Sequence, residues 1–101
     1  MKKRFVVGIN LTSEDDEKRL ASYLKKTRYG WWHWIKNFWL IIDGQGTLTA
    51  TQLRDEIIQL FPSTNLFVIE LKDKGTWAGM GPTNPIFDMF KWIREGWDKE
   101  S

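Results

Sequence analysis

Side chains able to move a proton, attack an electrophile or hold a metal are few in this sequence, and their types decide which chemistries stay open. His33 is the one histidine, and there is no cysteine. A disulfide framework, a thiolate zinc site and a cysteine nucleophile are therefore excluded. A ribonuclease-type histidine pair would need a second subunit to supply its other half, and in a tryptophan-rich strand a lone histidine reads instead as a packed or edge residue. No Ser-His-Asp arrangement stands out. The Gly44-Gln45-Gly46 loop precedes a helix and could turn backbone N–H groups toward a phosphate. It lacks the later glycine or lysine of the phosphate-binding fingerprints, so it reads as a connection. No metal site and no cofactor is expected from these residues.

Cations form two short clusters, Lys2-Lys3-Arg4 and Lys25-Lys26 with Arg28. If the first strand and first helix run antiparallel, the clusters meet at one edge that would attract phosphates without regard to sequence. The competing reading is a solvated surface with cations complementing a helix dipole, since 15 basic against 13 acidic residues leave a net charge of only +2. Aromatic residues say more. Seven tryptophans in 101 residues exceed what one small core needs, because each ring system buries roughly 150–250 Å². Three uses are open: core plus a dimer interface, which is the favoured one; platforms for stacking bases; and a small-molecule pocket lined by indoles.

These residues need elements to position them. Arg4 to Leu11 alternates, with Phe5, Val7, Ile9 and Leu11 on one face, and reads as a strand. Thr12 or Ser13 caps a helix over about 13–27, acidic in its first turn at Glu14 to Glu17 and basic at its end. Trp31 to Asp43 is too aromatic and β-branched for a helix. The polar pair Lys36-Asn37 divides it into strands 31–35 and 38–43 joined by a tight turn, with one long bent strand as the rival. Thr49 and Gln52 form a capping box before a second helix that Pro62 stops. Asn65 to Lys72 reads as a fourth strand, apolar enough to be covered on both faces. Residues 74–82 read as an irregular segment or a short edge strand. Asn84 and Pro85 open a third helix to Trp97, with Ile86, Phe90, Ile93 and Trp97 as its stripe. Asp98 to Ser101 reads as a frayed tail.

In chain order this is βαββαβ, an α+β fold of ferredoxin-like type, with a four-stranded antiparallel sheet, two helices on one face and an extra C-terminal helix. One domain spans 1–101, with its core in 3–72 and an extension carrying the helix 84–97. The basic start resembles that of a signal peptide, but the apolar run behind it is short and broken by Gly8 and Asn10. A cytoplasmic protein without a membrane partner is expected. Two helices cover only one sheet face. The third helix or a second subunit must cover the other, and a homodimer built on the sheet face or on the edge beyond the fourth strand is expected, with Trp32, Trp34, Phe38, Leu40, Trp77 and Trp92 as its candidate interface residues.

Several of these segments carry a resemblance. KRFVVGIN at the start, Gly30-x-Trp32-His33 with Trp39-Leu40-Ile41, Leu53-Arg54-Asp55-Glu56, and Leu66-x-Val68-Ile69-Glu70-Leu71 followed by Trp77-Ala78-Gly79 resemble the SinR family of small proteins. That family is related to the CRISPR-associated adaptation proteins and, more distantly, to VapD-type toxins. The resemblance covers roughly residues 3–80 and implies a ferredoxin-like dimer. In the wider family the first strand ends on an aspartate associated with metal-dependent nuclease activity. Asn10 stands there in this chain, and a neutral amide does not supply the anionic oxygen a hard cation prefers. Asp15 and Asp16, nearby in sequence, suit the first turn of a helix better. The resemblance thus implies a non-catalytic dimeric module, a scaffold or nucleic-acid-associated partner binding through Lys2, Lys3, Arg4, Lys25, Lys26 and Arg28. A toxin-like or metal-dependent ribonuclease is the alternative.

Overall fold

Alternation along the strands sorts the side chains into two layers. The computed structural model describes residues 1–99, so the part of the tail reading that concerns Glu100 and Ser101 lies outside the described residues. The chain runs β1 (Lys3–Ile9), α1 (Glu14–Lys26), β2 (Gly30–Ile35), β3 (Phe38–Asp43), α2 (Ala50–Leu60) and β4 (Leu66–Leu71), then a π-helical turn (Ile93–Trp97). The sheet is antiparallel in the order β2-β3-β1-β4. This is the ferredoxin-like βαββαβ arrangement. Lys36 and Asn37 form the turn between β2 and β3, with Asn37 in the left-handed region at φ 64°, so two strands replace the single bent one.

On the helix side of β1, Phe5, Val7 and Ile9 are buried beside Ile41 and Trp39 of β3 and Val68 and Leu66 of β4. Leu20 and Leu24 of α1 and Leu53 and Ile57 of α2 close this core, and each such side chain contributes about 1.5–3 kcal/mol by leaving water. Both helices begin as their sequences require. The Ser13 hydroxyl accepts from the Asp16 N–H, and Thr49 and Gln52 complete a reciprocal capping box. Pro62 follows immediately after the C-cap, Phe61.

The opposite face is covered by the chain itself. Residues 72–99 return across it and bury Met89, Phe90, Ile93 and Trp97 against Trp32, Leu40 and Ile42. Two expectations are corrected here. The third helix does not span 84–97; helical structure is confined to 91–97. The Asn84 carboxamide oxygen accepts from the N–H groups of Ile86 and Phe87, Thr83 bridges to Asp88, and the Met89 N–H donates to the Pro82 carbonyl. A side chain that bonds its own backbone in this way favours a turn over a helix, and Ile86 stands 82% exposed rather than in a buried stripe. Nor is β4 covered on both faces. It is an edge strand, and the returning segment stops short of Phe67 and Ile69, which are 67% and 43% exposed.

Candidate functional site

Asn10 follows the last residue of β1 and is exposed. Its N–H donates to the Asn65 carbonyl at 3.1 Å, while the Leu11 N–H donates to the Asn37 side chain at 3.0 Å. The end of β1 is thus laced to the start of β4 and to the β2–β3 turn. Asp16 lies in the first turn of α1 and pairs with Arg19 at 3.4 Å. Among the described residues, no three His, Asp or Glu side chains gather as ligands for one metal ion.

Both ring nitrogens of His33 have partners within the fold. Its ring lies flat on Trp39, with centroids 3.7 Å apart. Nδ1 is 3.0 Å from the Phe38 carbonyl and Nε2 is 2.7 Å from a Glu17 carboxylate oxygen. Both partners are acceptors, and together with the stacking they fix the orientation of the ring. Sequence reasoning placed Glu17 only in a helix first turn; its second task, on the neighbouring strand, needs the tertiary fold.

The loop after β3 holds an anion already, and that anion is its own. Buried Asp43 accepts from the N–H groups of Gln45, Thr47 and Leu48 at 3.0, 2.9 and 2.8 Å. These donors are the ones a phosphate would have used, so the loop is a connection. Gly46 sits at φ +75°, and an added Cβ would lie 1.8 Å from the Met1 carbonyl oxygen. Nearby Tyr29 has its hydroxyl pKa raised by burial and, secondarily, by the Asp43 charge.

The two cation clusters do share one end of the sheet, since Lys3 pairs with Asp43 and Gly30 with Ile42. They differ in exposure: Lys25, Lys26 and Arg28 are exposed, whereas Lys2 and Lys3 are half-buried. Arg4 is buried on the other sheet face, its Nε donating to the Trp97 carbonyl at 2.7 Å and its Nη2 to the Lys99 carbonyl at 3.1 Å. Lys2 donates to the Gly96 carbonyl at 2.7 Å. Lys3 donates to the Leu48 carbonyl at 3.0 Å and lies 3.9 Å from Glu70.

The candidate interface aromatics divide as well. Trp32 and Leu40 are buried under the returning segment, the Trp32 indole donating to the Met89 carbonyl at 2.6 Å. Phe38 and Trp92 are half-buried against the same cluster. Trp34 and Trp77 remain 46% and 40% exposed. A further open patch lies by the β4 edge. Phe67 projects there, and beside it Gly8 leaves a shallow depression bordered by Asn10 and Asn65. Sequence reasoning left Phe67 out of the candidate interface residues, having counted β4 as covered on both faces.

No protein-family model, curated protein or solved structure matches the chain. Its function therefore rests on its own residues.

Proposed function

We propose that the protein is a non-catalytic homodimeric module, built on the sheet face at β4, that associates with nucleic acid through the exposed cations at the C-terminal end of α1. One observation carries the reading: Phe67 and Ile69 stand in solvent on an edge strand whose other side pairs only with β1. An exposed strand edge beside bare aromatic surface is a liability that proteins ordinarily cover or blunt. A second copy covers it economically, because Phe67 as knob and the depression over Gly8 as hole lie side by side. Any two-fold contact that seats one knob seats both. The motif resemblance to the SinR family points to a dimer as well.

The absence of catalysis is inferred from three placements. Asn10 offers an amide where the related nucleases offer a carboxylate, both His33 nitrogens are engaged, and the donors after β3 are spent on Asp43. Nucleic acid would meet Lys25, Lys26 and Arg28, a small set that favours weak, sequence-independent contact. Light scattering tests the reading: wild type should give twice the 12.0 kDa chain mass, and Phe67→Asp should shift it toward a monomer. A wild-type monomer at every concentration, or cleavage of RNA with magnesium present, would overturn it.

A further inference from the structure

Between the second sheet face and the segment returning across it lies a cavity of about 340 Å³. Well-packed interiors hold few voids larger than a water molecule, whereas ligand sites begin near 300 Å³. Its cover is built closely onto the sheet. A Cβ at Gly79 would meet the Phe90 ring at 2.5 Å, and one at Gly81 would meet the Met89 sulfur at 2.1 Å. The cover is also pinned, by the Trp97 indole on the Lys74 carbonyl at 3.0 Å and by Trp32 on Met89. These two hydrogen bonds, with that of the Trp77 indole to the Asp98 carboxylate at 3.0 Å, occupy the indole N–H groups that line the space. The buried side-chain polar atoms left without partners, on Tyr23, Trp39 and Glu56, belong to residues outside the lining. Water would therefore find few partners inside, and a charged guest would find no counter-ion except at the Lys74 rim.

Two aromatic pairs contribute to the wall. Trp77 lies on Phe90 with centroids 5.5 Å apart, and Trp32 meets Phe38 at 6.2 Å and 88°. Ring faces and ring edges are both on offer, the two surfaces that aromatic partners prefer. We propose that this cavity is a binding site for an uncharged aromatic molecule of one or two fused rings. The site stands independently of the dimer, whose face lies beyond the edge of the cover.

Titration with the uncharged fluorophore N-phenyl-1-naphthylamine tests this. Saturable binding of one probe per chain is expected, with the anionic probe anilinonaphthalene sulfonate binding at least about tenfold more weakly. Val6→Phe fills the cavity from the sheet and Ala78→Leu from the cover. Each variant that retains a cooperative melt should lose about tenfold or more in affinity for the uncharged probe, and Gly8→Val, on the proposed dimer face, should not. Absence of saturable binding overturns the proposal. So does equal binding of the two probes, or affinity that survives both filling substitutions, since the probe would then sit on the exposed patch at Phe67.

Discussion

Arg4 holds a positive charge at 5% exposure and relies on main-chain carbonyls of Trp97 and Lys99, with the Trp97 ring 6.0 Å away. It ties the far end of the chain to the central strand. Arg4→Met should cost about 1.5–3 kcal/mol, the range for hydrogen bonds made by charged groups, and Arg4→Lys should recover only part, because an ammonium lacks the planar fork. Denaturant midpoints measure both, with Lys25→Met as a surface control expected within about 0.5 kcal/mol of wild type. Glu56 makes the opposite case. Burial raises its carboxyl pKa above the ordinary 4.5, and one oxygen has no partner. The folded state then binds a proton more readily than the unfolded chain, so this group's contribution falls as pH rises from the ordinary value through the folded one. Glu56→Gln should therefore gain stability relative to wild type on going from about pH 4 to pH 7, as seen in paired urea titrations at the two pH values. A constant difference would mean that burial does not govern this carboxyl.

Elements whose order is set locally were readable from the sequence. Two-residue alternation in β1, the acidic first turn of α1, and Thr49 with Gln52 at the start of α2 each act within a few residues, and each appears in the structure within two residues of its expected bounds. The segment 83–88 was not readable in the same way. Asn84 and Pro85 suit a helix start, yet the same carboxamide closes a turn, and the choice falls to packing: Met89 and Phe90 find the sheet while Ile86 and Phe87 do not. A substitution pair separates the two arrangements. Ile86→Asp should change stability by no more than about 0.5 kcal/mol, and Phe90→Ala should cost about 3–5 kcal/mol. A helix over 84–97 with Ile86 in its buried stripe would make both costly. The roles of Arg4, Asp43 and Glu17 were equally hidden, since each depends on a partner that only the tertiary fold brings near.

At the scale of the whole chain the radius of gyration is 13.4 Å, close to the ~13 Å of a compact domain of about 100 residues, and no helix among the described residues is long and apolar enough to cross a membrane. The tryptophan surplus pointed toward a cover for the second sheet face. Most of that cover comes from the chain's own C-terminal segment, which leaves Phe67, Ile69 and Gly8, rather than the central tryptophans, as the open surface on which the proposed dimer would form. Gly8 allows a clean test. It occupies a central strand at negative φ, and a Cβ there would meet nothing within 4 Å, so Gly8→Val should leave the fold intact or strengthen it by about 0.5–1 kcal/mol. The same side chain fills the depression that a partner's Phe67 would occupy. The deciding measurement is sedimentation equilibrium of wild type and Gly8→Val across a concentration series. A wild-type dimer beside a folded monomeric variant is the predicted result; equal masses for the two proteins would contradict a dimer built on this face.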